Sequence, residues 1–522
     1  MAFPHANAIS AAQIIPTILA AAALGALGAL AWAPWFQPWI LLPVLGLLHC
    51  LLIRMPRPLA AALPALAFAI SLHAAGEGWA IAALFRETGL LPAQALLTAA
   101  ATLLYLAAFI ALPVYLCARW RPARRLALPD GMSAACLAAA LTAGEWARGV
   151  LPGAFGSLSM GYAWLDTPLD GLLPIVGLYG LGFVAWLLCL GWLPAAAALA
   201  RRRYRPVAIA ALALGSVIGA ARWSAGESWA IPHGDPLSFR LIHTATAQQD
   251  KFMPEQAAAR IASLMEQLVE QPAQIVLTPE TAFPVFFHQL PAGLIERLLK
   301  AGRTDGSHFF IGIALMGDKQ HAHNSLLHIP PAMPLHYFAK ELLMPLGEYS
   351  PQGLAWLSQR LAFPLKDLSP GRSGQQAFLV DQRRAAALIC HEDSTPGPAR
   401  RRAADASLLL NPSNLAWFGE SAAIPQGLVM ARARALETGR PVLRTANAGG
   451  AAHIDHLGRI VAQAPPGAEA VLSGEVQPMR GLTPYARFGD APVLLACAAL
   501  VLLSAARRWR AVSRTSLKSQ TS

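Results

Sequence analysis

Ala385-Ala386-Ala387-Leu388-Ile389-Cys390-His391-Glu392-Asp393 sets an apolar run of strand length directly before a thiol, an imidazole and two carboxylates. A buried strand that carries a cysteine to its C-terminal edge is a common way to present a nucleophile on a sheet scaffold. Cysteine is also an ordinary small hydrophobe of protein cores, so the run alone does not choose between the two readings. Two distant segments do. Gln274-Ile-Val-Leu-Thr-Pro-Glu280 is a second short apolar run that ends in a carboxylate, and Leu335-His-Tyr-Phe-Ala-Lys340 is a third that ends in an ammonium. Prolines follow each of the three and turn the chain out of a sheet, which leaves the reactive side chains at exposed rims.

Around these runs the chain alternates. Ser238–His243, Gln274–Leu277, His308–Ala314, Ala385–Ile389, Ser407–Leu410 and Pro441–Thr445 read as strands, and Glu255–Gln271, Gly293–Ala301, Pro398–Ala404 and Pro425–Thr438 as helices. Such alternation predicts an α/β fold with sheets covered by helices. The histidine-rich stretch His321-Ala-His323, with His328 nearby, lacks thiol partners and zinc spacing and reads as a polar loop. Gly449-Gly450 reads as a turn, because no lysine-serine helix start follows it as a phosphate cradle requires. No metal and no cofactor is expected.

The rest of the chain is of another kind. Of 522 residues 55% are hydrophobic and only 13% charged, and the mean hydropathy is +0.44. This lies outside the range of soluble proteins. Eight apolar stretches read as membrane spans: Ile9–Ala31, Pro38–Ile53, Leu59–His73, Leu96–Cys117, Met132–Trp146, Leu172–Ala198, Val207–Ala221 and Ala491–Ala506. The net charge of +12 comes largely from clusters at their ends, Arg54 and Arg57, Arg119 to Arg125, Arg201 to Arg205 and Arg507 to Lys518. Placed on one side, these clusters give a consistent parity, with both termini cytoplasmic and the α/β segment on the far face. That distribution is a membrane signature and not a groove for nucleic acid. The first span lacks Lys or Arg before it and reads as an uncleaved helix. The expected parts are a seven-helix membrane domain at 1–225, an α/β domain at 235–480, a last span at 488–508 and a basic tail at 509–522. Glu145-Trp146-Ala-Arg148, at the outer end of the fifth span, places ionisable groups at membrane depth and is a candidate site for that reason. Five of the six cysteines lie in or beside spans; Cys390 alone is in the α/β segment. In a compartment that favours disulfides a solitary thiol points to reactivity.

Glu280, Lys340 and Cys390, in that order, resemble the nitrilase, or carbon–nitrogen hydrolase, superfamily. More closely the chain resembles its integral-membrane branch, the apolipoprotein N-acyltransferases. The resemblance rests on Thr278-Pro-Glu280-Thr, Lys340 with Pro345-Leu-Gly-Glu348-Tyr, and Ile389-Cys390-His-Glu392. Asn411 with Ala416-Trp417-Phe418-Gly419, Met430-Ala-Arg-Ala-Arg434-Ala-Leu-Glu437, and Glu145-Trp146-Ala-Arg148-Gly149 add to it. It implies an αββα sandwich beside a multi-span bundle in a bacterial inner membrane, with the sandwich in the periplasm. It also implies that a fatty acyl chain passes from a phospholipid, through a thioester on Cys390, to the α-amine of a diacylglyceryl-cysteine on a lipoprotein. Glu280 would take the thiol proton, since a thiol of pKa about 8.5 needs a base near neutral pH. Lys340 would stabilise the oxyanion, a role worth about 2.7–4 kcal/mol for one donor. Glu348 and Glu392 would orient Lys340, and Phe252, Trp417, Glu145 and Arg148 would touch substrate.

The chain departs from the family pattern at four places. Phe252 follows Lys251 where the family usually has Trp, and Gly427 stands where His is common. Phe155-Gly156-Ser157 replaces Phe-Pro-Trp, and His391 replaces an aromatic residue after the nucleophile. These positions bear on substrate preference more than on the chemistry. A membrane-tethered amidase and a non-catalytic lipid- or lipoprotein-binding copy are the rival readings. Ser350 to Arg372, which mixes Pro and Gly with Leu-Ala-Trp-Leu, reads as a candidate mobile segment.

Overall fold

The computed structural model describes residues 11–55, 57–87, 89–119, 130–153, 155–317, 321–332, 334–349 and 367–520. Most of the candidate mobile segment and the basic run 121–125 lie outside the described residues.

Helices occupy the stretches read as spans: Ala11–Gly28, Leu41–Ile53, Pro58–Gly76, Pro92–Arg119, Gly131–Val150, Leu173–Ala200, Tyr204–Gly226 and Ala491–Gln520. Among the described residues, five segments are long and apolar enough to cross a bilayer, namely Ile14–Ala31, Pro58–Gly76, Pro92–Arg119, Asp170–Ala200 and Tyr204–Gly226. Pro38–Ile53 and Ala491–Ala506 are shorter apolar helices. Gly131–Val150 has the length but carries Thr142, Glu145 and Arg148. Tyr204–Gly226 leaves Ile209 and Leu212 69% and 73% exposed, an apolar face suited to lipid. A short helix not expected from the sequence, Gly78–Glu87, follows the third span and lays Trp79 edge-on to Phe418, with ring centroids 4.6 Å apart.

The helix Leu173–Ala200 is interrupted at Gly177, where φ is +67°. A Cβ there would collide with the ring of Tyr485, so only glycine allows the approach. The helix restarts with the Leu178 N–H donating to Glu437 Oε1 at 2.7 Å. Glu437 in turn pairs with Arg434 at 2.8 Å, and both side chains are fully buried.

The α/β part is two sheets face to face. In one, the strands run in the order 470–476, 237–243, 275–277, 308–316, 322–329, 336–339; in the other, 460–464, 450–454, 442–447, 408–414, 383–387, 378–380. The period-two alternation of strands sorts the side chains. Leu408 and Leu410 join Ala385, Ala387, Leu237, Leu241 and Phe310 between the sheets. Ala386, Leu388 and Leu409 face outward onto the helices Pro396–Ala403 and Ala423–Thr438. On the other side, Val276, Phe309 and Ile311 pack under Pro254–Val269 and Leu294–Asp305. The layering is αββα.

One stretch corrects the sequence reading. The supposed polar histidine loop is the strand Ala322–Ile329, antiparallel to His308–Met316. His328 is buried there, stacked on Phe310 with centroids 4.5 Å apart. Burial pushes its imidazole down to about 3, so it packs as a neutral ring. The turn expected of Gly449-Gly450 falls at Ala448-Gly449, and Gly450, at φ +80°, opens the strand Gly450–Ile454.

Candidate active site

Three strand ends converge. Glu280 follows Ile275–Leu277, Lys340 follows His336–Ala339, and Cys390 opens a single 3-10 turn, Cys390–Ser394, beyond Arg383–Ala387. The ladder stops two residues earlier than the apolar run implied. Cys390 itself takes φ +54° and Thr281, beside Glu280, takes φ +48°. Left-handed backbone at two non-glycine residues is strain concentrated at one spot, a feature of functional sites. Gly312 lies under the Glu280 corner so closely that a Cβ would strike the Pro279 carbonyl.

Lys340 Nζ is 2.9 Å from Glu280 Oε1 and 2.9 Å from Glu348 Oε2. Asn324, on the strand first read as a loop, donates to Glu280 Oε1 at 2.7 Å and to Glu348 Oε1 at 2.6 Å. It therefore holds the two carboxylates on either side of the ammonium. The Met344 N–H donates to Glu348 Oε2 at 2.7 Å and fixes that side chain. Burial pulls the Lys340 ammonium down, but Glu280 and Glu348 outweigh it and hold the group well above its ordinary value. The Cys390 thiol is pushed up by burial and by Glu280, against the pull of Lys340 and of the Asn414 backbone amide. A resting thiol in that setting keeps its proton and needs a base to react.

Glu392 is engaged elsewhere than expected. It is fully buried and takes both Arg402 nitrogens, at 2.8 and 2.9 Å. It also accepts from the backbone N–H groups of Ile389 at 2.7 Å and Glu341 at 2.9 Å. One carboxylate thus ties the chain just before Cys390 to the chain just after Lys340. Burial would raise it, but Arg402 and these amides hold it below the usual carboxylate range. His391 is buried and pushed down to about 3 by burial and by Lys340, so it is a neutral ring.

The nucleophile turn rests on the helical bundle. The Tyr162 hydroxyl donates to the Ser394 carbonyl at 2.8 Å, and Arg434 donates to the Asp393 carbonyl at 3.1 Å. Gly156 lies against that same Ser394 carbonyl with no room for a Cβ, which accounts for glycine there. Glu145 and Arg148 do not reach Cys390. They hold the supporting stretch, Glu145 accepting from the Met160 N–H at 3.0 Å and Arg148 donating to Ser159 Oγ at 3.2 Å. Ser157 donates to Glu77 in the same buried cluster. Arg444 pairs with Asp393 at 2.8 Å, and a Cβ on Gly427 would lie 2.7 Å from its Nη2. The guanidinium fills the space beside that glycine. Trp417 joins a small apolar cluster with Leu90, Ala95 and Leu346, and Phe252 is half-buried at the end of Gln248–Lys251.

The sequence alone does not single out Asn324, Arg402 or Arg444. The motif residue Asn411 lies beside the nucleophile turn, its amide donating to the Leu388 carbonyl at 2.6 Å. For Asn324 a signal was present, since alternation along 322–329 puts it on the same face as Leu326 and His328.

Comparison with known proteins agrees with this architecture. Residues 243–485 match the carbon-nitrogen hydrolase family, and residues 24–191 match the apolipoprotein N-acyltransferase N-terminal domain. The chain is 35% identical over 499 residues to an apolipoprotein N-acyltransferase of Ralstonia nicotianae, covering 94% of this chain and 93% of the relative. It is 34% identical over 513 residues to that of Chromobacterium violaceum, covering 97% and 96%. Among solved structures it is similar to an amidase from Nesterenkonia sp. AN1, at 19% identity and a TM-score of 0.37, over 50% of this chain and 97% of that one. Matches to both halves, and relatives aligned almost end to end, leave one conclusion: the chain belongs to the apolipoprotein N-acyltransferase family, bacterial membrane enzymes that N-acylate lipoproteins.

Proposed function

We propose that Cys390, Glu280 and Lys340 carry the acyl transfer, in two steps. The Cys390 thiol attacks an ester carbonyl of a phospholipid while Glu280 takes its proton. Lys340 stabilises the oxyanion, and the lysophospholipid alcohol leaves with the proton from Glu280. The α-amine of a diacylglyceryl-cysteine then attacks the thioester, Glu280 accepts the amine proton and passes it to the departing thiolate, and the free thiol returns. Glu348 keeps Lys340 protonated and aimed. The observation that carries this reading is Lys340 Nζ held 2.9 Å from both Glu280 and Glu348, in a site whose charges act directly on the Cys390 thiol.

The eight helices, the parity of the basic clusters and the polar α/β part together support eight spans with both termini cytoplasmic and the α/β domain, 235–480, in the periplasm. Labelling of single cysteines by a reagent that cannot cross the membrane tests that topology.

The chemistry is tested by intact mass spectrometry of purified protein incubated with phospholipid. The expected result is a hydroxylamine-labile gain of one fatty-acyl mass, absent in Cys390→Ala and discharged by a diacylated lipopeptide. Discharge by water alone, with release of fatty acid, would identify a hydrolase. An adduct retained by Cys390→Ala would end the assignment of the nucleophile.

A further inference from the structure

Lys251 is a second lysine of the site, and the scheme above gives it no part. It ends the short helix Gln248–Lys251 and is 3% exposed. A buried ammonium is costly unless its donors are met. Here they are met at one place. Nζ donates to Thr281 Oγ1 at 2.6 Å and to the Glu280 carbonyl at 3.3 Å. With its amide oxygen turned toward them, Asn414 accepts from Lys251 Nζ and from Trp417 Nε1, each 3.2 Å away.

These partners belong to the two different sheets that flank the thiol. Glu280 and Thr281 form the strained corner at the end of 275–277. Asn414 ends the strand Leu408–Asn414, next to the nucleophile strand, and its backbone amide faces the Cys390 thiol. The charged and titratable groups that Lys251 faces are Glu280 from the corner and Cys390 from the turn, with Asp250 before it on its own helix. Burial pulls the ammonium down to about 8, against the opposing pull of Glu280 and Cys390. At neutral pH it is still mostly charged.

We infer that Lys251 is a positioning residue for the acyl transfer: it pins the Glu280–Thr281 corner to Asn414 across the two sheets, so that the base and the thiol-facing amide are held together around Cys390. This rests on the assignment of Glu280 as base and Cys390 as nucleophile. Because Lys251 is also a nearby cation, it favours the anionic form of the thiol as the reaction begins. Its donors go to a hydroxyl, a backbone carbonyl and an amide oxygen, whereas those of Lys340 go to the carboxylates of Glu280 and Glu348.

The test is the rate of thioester formation with a defined phospholipid, followed by intact mass across pH 6–10 in the full-length protein. Lys251→Met keeps the length of the side chain and drops the charge. The expected result is at least a tenfold loss at pH 7, with the half-maximal pH moved up by about one pH unit. Thr281→Val keeps the shape and removes one acceptor, with a loss of about threefold and a shift in the same direction. A Lys251→Met protein with the wild-type rate and pH midpoint would overturn the inference. A slower variant with an unmoved midpoint would also overturn it, since a purely structural role predicts that outcome. If Lys251→Met elutes as aggregate, the decision falls to Thr281→Val, and wild-type behaviour there overturns the inference. Cys390→Ala is run beside both. An adduct on that variant sinks the triad itself, whereas wild-type behaviour of Lys251→Met leaves the triad standing.

Discussion

Replacing Glu392 by Gln removes one charge and almost no volume from the clamp beneath the nucleophile. Arg402, nine-tenths buried and stacked over Phe338 at 4.4 Å, would lose its bidentate partner. Breaking a buried pair from one side costs about 3–5 kcal/mol, because the remaining charge is stranded. Glu341, 3.2 Å from Arg402, still compensates in part, so the lower end, about 3 kcal/mol, is expected. For a folding unit of about 150–250 residues each kcal/mol moves the melting midpoint about 2–4 °C, which makes the drop about 6–12 °C. The assay is thermal unfolding in detergent, paired with the rate of thioester formation. The rate should fall as well, since Glu392 spaces the chain before Cys390 from the chain after Lys340. The pH dependence has a fixed sign. Glu392 titrates in the folded protein below its unfolded value of about 4.3, so its stabilisation is present above that pH and is lost as the pH falls through the depressed value. The double variant Glu392→Gln/Arg402→Met removes the stranded guanidinium, leaves Glu341 to Arg401 at 3.4 Å, and should recover most of the loss. A midpoint within 1 °C of wild type for Glu392→Gln, or losses that simply add in the double variant, would refute the clamp.

Three further outcomes are expected. Gly156→Val drives a side chain into the Ser394 carbonyl and should cut acylation more than tenfold while secondary structure measured by circular dichroism stays unchanged. Asn324→Asp sets a third carboxylate between Glu280 and Glu348; the added negative charge opposes thiolate formation at Cys390, so the half-maximal pH of thioester formation should move upward, and an unmoved profile would count against Asn324 as their spacer. Glu437→Ala leaves Arg434 without its partner and the Leu178 N–H without its acceptor, and should cost about 3 kcal/mol or more, read as a lower melting midpoint.

The three strand ends were legible because each reactive residue directly follows a short apolar run, and burial of such runs is what makes strands. The turn at Cys390 was not, since nothing local to Ile389-Cys390-His391 announces a positive φ; it follows from Asn411, Glu392 and Tyr162 pulling on the backbone from three directions. The strand 322–329 was hidden by its histidines, which count as polar in a pattern yet pack as neutral rings once buried. The strand 408–414 runs on through Asn411-Pro412-Ser413-Asn414, a turn-like tetrapeptide that parallel pairing with Arg444 to Asn447 overrides. The polar clusters joining sandwich to bundle could not be read at all, because their members lie 232 to 393 residues apart in the chain.

The break at Gly177 ties the order of synthesis to the completion of the fold. Leu178 is translated 259 residues before Glu437, the group that accepts its N–H. Until the later part of the chain has been made and folded, that helix has an open end close to lipid, where an unmet amide is expensive. Tyr485 must arrive later still to fill the gap opposite Gly177. The nascent bundle is therefore a provisional object. A chain cut short before residue 437 would carry that break without the carboxylate that caps it.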